Sequence, residues 1–202
     1  MMKVMFIKTK KDLLFFLRED AKRNGCERYL YYLVHLLGGA ENACAYRYIK
    51  CMRMCEYHKN NMSKCFVHKF FYYTYYFKLL RLGHKYNIYI PVNTCGYGLR
   101  IMHLSGGGGV LLNAKRIGNY CGFNSGVLIG NKESQEARPT IGDHTAFGPG
   151  AKAFGSIEIG SNVFVAANAV VTKNIPDNCV VGGIPAKIIK NRVTDDHAIF
   201  AN

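Results

Sequence analysis

The chain has 202 residues, 49% of them hydrophobic, and a formal net charge of +14. That length and apolar content suit one large or two small folded domains and argue against a disordered chain. No run approaches 18 uninterrupted apolar residues, so no membrane-spanning helix is expected.

The N-terminal stretch "MMKVMFIKTKKDLLFFLRED" lacks the apolar core and small-residue cleavage site of a secretory leader, which points to the cytoplasm. Eight cysteines fit that address if they stay reduced. Cys51, Cys55 and His58 stand one helical turn apart, a spacing open to a metal. With no CxxC pair beside them, small buried hydrophobes are the preferred reading, and no metal is expected.

Composition changes along the chain. Residues 1–90 carry 17 Lys/Arg against 6 Asp/Glu, whereas residues 91–202 carry 10 against 7 and hold 17 of the 21 glycines. The shift divides the chain into an α-helical N-terminal region (1–87), a second domain (88–190) and a C-terminal tail (191–202).

Four helices are expected in the first region. "TKKDLLFFLREDAKRN" opens with Thr9 as N-cap and Asp12 three residues on, and sets Leu13, Phe16 and Leu17 on one face. "ERYLYYLVHLLGG" ends at Gly38-Gly39, "ENACAYRYIKCMRMCEYHKN" follows, and "SKCFVHKFFYYTYYFKLLRLGHKYN" is expected to end at Gly83. The fourth segment interleaves Phe70, Phe71, Tyr72, Tyr73, Tyr75, Tyr76 and Phe77 with Lys64, Lys69, Lys78 and Arg81. Packing against other helices and a neighbouring subunit is one reading. Peripheral contact of residues 64–82 with an anionic membrane surface is the other. No reader motif supports nucleic-acid binding.

The second region repeats every six residues. Stepping by six from Leu99 to Val171 meets an apolar residue at eleven of thirteen positions, the exceptions being Ser105 and Gln135. "IG" recurs in "IGNYCG", "IGNKES", "IGDHTA" and "IGSNVF". Neither a helix nor a single strand has a period of six. A parallel β-helix does: three six-residue units close one triangular coil, with the first residue of each unit pointing inward. Slim residues are expected at position five, where Cys121, Val127, Thr145, Ala151, Val163 and Ala169 stand. Gln135 is read as part of a loop leaving the prism, and Ser105 as a functional break just after His103.

"IGDHTAFGPGAKAFGSIEIGSNVFVAANAVVTKNIPDNCVVGGIPAKIIK" resembles the hexapeptide-repeat acyltransferases. "GYGLRIMHLSGGGGVLLNAKRIGNYCGFNSGVLIG" is similar to their serine O-acetyltransferase-like group, nearest to members serving capsule or O-antigen biosynthesis. The resemblance spans about residues 40–190. It implies a mainly β fold, a left-handed parallel β-helix preceded by helices, and a homotrimer, with a dimer of trimers as the larger assembly open to it. It also implies acetyl-CoA as acetyl donor and His103 as catalytic base. Gly148 and Ala167 are implied beside the pantetheine, Thr172 and Lys173 along the pantetheine or phosphates, and Lys187 and Lys190 near the adenosine phosphates.

Three positions depart from the group. Met102 stands where an amine-binding aspartate is expected, Arg138 stands near the place of a second histidine, and no carboxylate upstream is available to orient His103, for which Asn124 is the substitute considered. These departures favour a sugar or polysaccharide-precursor hydroxyl, free or lipid-linked at the inner face of the membrane. Serine O-acetyltransfer and a non-catalytic trimeric scaffold are the alternatives. A metal-dependent enzyme of the same fold needs three histidines, whereas only His103 and His144 lie in the repeats.

Overall fold

The computed structural model describes residues 6–131, 134 and 136–191. Gln135 and tail residues 192–202 lie outside that range. Four helices precede a run of short strands: α1 (Lys10–Arg23), α2 (Tyr29–Leu37), α3 (Glu41–Lys59) and α4 (Phe66–Tyr86). None of them is long and apolar enough to cross a membrane. Thr9 caps α1 through a reciprocal capping box with Asp12, and Leu13 and Phe16 form its buried face. α4 runs through Gly83 and ends at Asn87, in left-handed conformation. Gly83 does not stop the helix because it serves packing: a Cβ there would lie 2.8 Å from the Ile88 carbonyl oxygen and 3.7 Å from the Tyr48 ring.

The strands form three parallel sheets, the faces of a triangular β-helix. The first sheet holds β1 (Ile88–Tyr89), β3 (Val110–Leu112), β6 (Val127–Gly130), β9 (Lys152–Phe154) and β12 (Val170–Val171). The second holds β4 (Arg116–Ile117), β7 (Thr140–Ile141) and β10 (Glu158–Ile159). The third holds β2 (Arg100–Ile101), β5 (Gly122–Phe123), β8 (Ala146–Phe147), β11 (Phe164–Val165) and β13 (Cys179–Gly182), closed by the antiparallel β14 (Lys187–Asn191). Side chains one coil apart stack inside the prism; the Phe123 and Phe147 rings lie 5.4 Å apart and nearly parallel.

The six-residue register holds from Ile117 onward but not before it. Ile101, not Leu99, pairs with Phe123, and Leu112, not Leu111, pairs with Ile129. Ile101 and Phe123 are 22 residues apart, against the 18 between Phe147 and Val165. The coil is thus four residues longer in all: Ile101 to Leu112 spans 11 residues where Phe123 to Ile129 spans 6, so five extra residues enter at the corner that follows His103, and Leu112 to Ile117 is one residue short of six. Ser105 fails the repeat because it belongs to that insertion, and Leu111 points outward at 38% exposure.

The compositional boundary near residue 88 marks a change of secondary structure, not a gap in the core. Tyr48, Ile49 and Met52 of α3 and Leu79 and Leu82 of α4 share one buried cluster with Ile88, Leu99 and Ile101. Cys51 and Cys55 sit in it too, and burial pushes their thiols up to about 11 and about 12. His58 of the same helix faces α4, its Nδ1 3.0 Å from Nδ1 of His68. Leu79 and Leu82 are the inward side of α4, while Phe66, Phe70, Tyr73 and Phe77 stand exposed on its outer side.

A buried ionic network joins α1 and α3 to the first coil. Arg53 donates through Nε to Asp20 at 2.8 Å and through Nη1 to Glu56 at 3.0 Å. It also donates to the Cys95 carbonyl at 2.8 Å and the Gly96 carbonyl at 2.6 Å. Asp20 in turn accepts from the Leu99 N–H at 2.9 Å, and Glu56 from the Asn93 N–H at 2.7 Å.

The corrected register has a direct consequence. Phe123→Ala, at a fully buried stacking position, is expected to lower unfolding free energy by about 3–5 kcal/mol. Leu111→Ala, a ladder position by sequence alone, is expected to cost about 1 kcal/mol or less. Urea unfolding of the two variants measures the difference.

Candidate active site

β2 alternates in the usual way: Ile101 points into the prism, and Arg100 and Met102 point away from it. His103 follows with φ 57° and ψ 46°, the left-handed region that non-glycine residues occupy at a cost of about 1–3 kcal/mol. Its carbonyl accepts the Gly106 N–H at 3.1 Å, closing a 3-10 turn over Leu104–Gly106. The chain then passes through the glycine run to β3. The inserted residues thus build the turn that carries the histidine outward, where it is exposed.

Glu41, the first residue of α3, holds this turn from the helical side. Its carboxylate accepts the Ser105 N–H at 3.0 Å and also the Ser105 hydroxyl. Those two bonds hold the Glu41 carboxyl below its ordinary range, and the nearby His103 acts in the same direction. His103 and Glu41 line one cavity of about 680 Å³. The end of α1 contributes Glu19, Lys22 and Arg23 to its walls, and the coils contribute Arg100, Met102 and Tyr120. Tyr120 donates its hydroxyl to Glu19 at 2.7 Å, and burial, reinforced by Glu19, pushes its phenol up to about 12.

Met102 therefore lies beside His103 as the sequence suggests. Asn124 stands one coil along from Met102, since Ile101 pairs with Phe123; its side-chain amide donates to the Phe147 carbonyl at 2.9 Å, bracing one coil on the next. Arg138 sits at another corner, between the first and second sheets, where Nη1 reaches Asn113 at 3.4 Å. Its Nε is buried and makes no hydrogen bond. His144 is exposed and stacks on Tyr120, ring centroids 5.1 Å apart.

Gly148 and Ala167 follow β8 and β11, so they share the corner of His103 in later coils. A Cβ on Gly148 would stand 2.7 Å from the Ala167 nitrogen, so no side chain can project there. With Gly106 against Ser125, Gly126 against Gly150 and Gly148 against Ala167, this corner is a narrow track lined by backbone and small groups. Thr172 and Lys173 are exposed at the next corner, after β12, and Lys187 and Lys190 are exposed on β14. Within one chain, then, His103, Gly148 and Ala167 lie on one track, while the four remaining residues lie elsewhere on the prism.

The sequence reading missed Glu41, Arg23 and Arg100. Glu41 reads locally as an ordinary acid in the first turn of a helix, and Arg23 as a base in the last turn of one, both favoured by the helix dipole. Nothing local signals that α1 and α3 bring them to the His103 corner.

No family model matches the chain. Over 101 residues it is 38% identical to a serine acetyltransferase of Synechococcus elongatus, covering 49% of this chain and 41% of that protein. Over 95 residues it is 38% identical to a serine acetyltransferase of Staphylococcus aureus, covering 46% and 45%. The chain thus spans less than half the length of these curated relatives. Among solved structures, the Neisseria gonorrhoeae serine acetyltransferase superposes with a TM-score of 0.67 at 23% identity, covering 92% of this chain and 69% of that one. The Brucella abortus serine acetyltransferase solved with coenzyme A gives 0.67 at 22% identity, covering 91% and 70%. At that identity the structural likeness establishes the fold: a parallel β-helix behind a helical region.

The Glu41–Ser105 contact has its own test. In Glu41→Ala, amide exchange at Ser105 is expected to accelerate by about tenfold or more, since a local opening then lacks its carboxylate partner. The Phe123 and Phe147 amides, inside the sheet ladder, should exchange at the parent rate. Hydrogen exchange read by NMR distinguishes the two.

Proposed function

We propose that the protein is an O-acetyltransferase that transfers the acetyl group of acetyl-CoA to the hydroxyl of serine, with His103 as general base. The observation that carries this reading is His103 itself: an exposed imidazole in a left-handed turn, facing a helix-walled cavity, at the head of a corner free of large side chains.

In the neutral form, His103 accepts the proton of the acceptor hydroxyl as that oxygen attacks an acyl carbonyl. Acetyl-CoA supplies the activated acetyl group as a thioester. Backbone amides of the glycine run that follows His103 are the donors this reading assigns to the developing oxyanion. The imidazolium then returns its proton to the departing thiolate. The backbone-lined track past Gly148 and Ala167 suits a thin pantetheine arm. Thr172, Lys173, Lys187 and Lys190 suit the phosphates in a groove completed by a neighbouring copy, which makes a homotrimer part of the proposal. The imidazole needs no metal for this chemistry.

Serine is the acceptor preferred because the relatives matched at 38% identity bear that activity in their names. A sugar or polysaccharide-precursor hydroxyl is the second reading. Met102 beside the base favours it, as does a cavity far larger than serine. Contact of α4 with a membrane belongs to that second reading and rests on the exposed aromatic and basic residues of its outer side.

The test is CoA-thiol release from acetyl-CoA in the presence of serine and of sugar acceptors. His103→Ala is expected to lower kcat by about 10²–10⁴-fold with the fold unchanged by circular dichroism. Acceptor-dependent release that is equal in the variant contradicts the role of His103, and no release at all returns the chain to a scaffold.

A further inference from the structure

We infer that the groove between α4 and the outward face of the first sheet binds an aliphatic chain with an anionic head, the head held at Lys59. The site lies outside the proposed acetyl transfer: none of its lining residues lines the His103 cavity.

The outward row of the first sheet is apolar where a polar one is expected. The second sheet turns Arg116, Thr140 and Glu158 outward in one row. The first turns out Tyr89, Leu111 and Leu128, and becomes charged only at Lys152, one coil further. α4 flanks the apolar row and lines the same groove with Tyr76 and Leu80. It does not cover the row: Tyr89 stays 54% exposed and Leu111 38%, and on the facing wall Tyr76 stays 36% and Leu80 39%. Two apolar walls of one chain thus border a cavity of about 610 Å³, a contiguous apolar surface of the kind that marks a binding groove.

The walls are held apart. Leu79 and Leu82 already pack in the core that Ile88 shares, and a Cβ on Gly83 would stand 2.8 Å from the Ile88 carbonyl oxygen. α4 has no room to move closer there, so the space is left to a ligand. Its size selects the occupant. The α4 lining runs from Tyr72 to His84, about 18 Å at the rise of a helix. A second helix of that length, about 10 Å across, would need roughly twice the volume or more. An extended peptide would set its N–H and C=O groups against a floor whose own are spent in the ladders between coils. An aliphatic chain is narrow enough and brings no such groups, and the volume lies within the range of about 300–1,000 Å³ typical of small-molecule sites.

The charge of the lining selects the head. Among the described residues no Asp or Glu lines the groove, whereas Lys59, the last residue of α3, gives it a permanent positive charge. His58 meets His68 near the start of α4, so Lys59 stands at the Tyr72 end of the groove and His84 at the other. An ammonium is a compact charge that accepts a carboxylate or a phosphate without a fixed fork. The tail then runs along α4 over Leu111 and Leu128 towards Gly108 and Gly109, on the flank of the His103 turn.

Calorimetric titration of the full chain with decyl phosphate, decanoate and neutral decanol, each below its micelle concentration, tests the site without any acetyl transfer. One molecule is expected to bind per chain, with at least one anion held about tenfold more tightly than decanol. The favoured anion tells a lipid phosphate from a free fatty acid. Lys59→Gln is expected to erase the preference for the anion while leaving decanol binding unchanged. Leu111→Glu and Leu80→Glu, at exposed positions on the two walls, are each expected to weaken all three ligands by about tenfold or more. Circular dichroism and light scattering on the same samples should show the parent fold and mass. No saturable binding to the parent, or binding untouched by both glutamate variants, overturns the site. An anion preference that survives Lys59→Gln overturns the placement of the head. A fall in mass in either glutamate variant assigns the groove to a second copy of the chain and overturns the aliphatic ligand.

Discussion

The fold of the helical region onto the β-helix depends on Arg53. It is a fully buried guanidinium whose donors reach two carboxylates and two backbone carbonyls. Burial disfavours its charge, but Asp20 and Glu56 outweigh burial and hold it firmly protonated. Burial likewise pushes the two carboxyls up while Arg53 pulls them down. Such a group is stable only with all its partners in place; removing one side of a buried ion pair costs about 3–5 kcal/mol. Because those partners come from α1, α3 and residues 93–99, one side chain fixes the mutual placement of three segments.

That placement determines the cavity. Asp20 and Arg23 lie on the same helix, so locking Asp20 to the Leu99 amide brings the end of α1 beside β2. Asn24 adds a second tie, donating to the Leu99 carbonyl at 2.8 Å. α3, anchored at Arg53 and Glu56, brings Glu41 at its other end to the His103 turn. The β-helix alone supplies the histidine corner and the narrow track below it. The helices supply the walls that face an acceptor. On the proposed function, donor and acceptor are thus served by different parts of the chain.

Much of this architecture was legible in the residues. The six-residue period announces the β-helix because each coil places an identical demand on its inward position, and the Thr9–Asp12 box marks the start of α1 without any tertiary context. The misreadings share one physical cause, that contacts distant in sequence outweigh local signals. Gly83 looks like a helix stop but is a point of close approach to Ile88. Leu111 fits the ladder only if the residues inserted after His103 are ignored. Arg53, in "CMRMCEYHK", carries no local sign of burial, which comes only when α1 and the first coil close over it. The His103 turn stands out in the sequence as a histidine before a glycine run, whereas Glu41, Arg23 and Arg100 reach its cavity only through that closure.

The most direct test of this division of labour is the acetyl-transfer kinetics of Arg53→Lys, a variant that keeps the charge but loses the fork joining α1, α3 and the first coil. In protein shown to be folded by circular dichroism, the account predicts a raised KM for the acceptor and an unchanged KM for acetyl-CoA. A parallel rise in both, or a rise for acetyl-CoA alone, would contradict it.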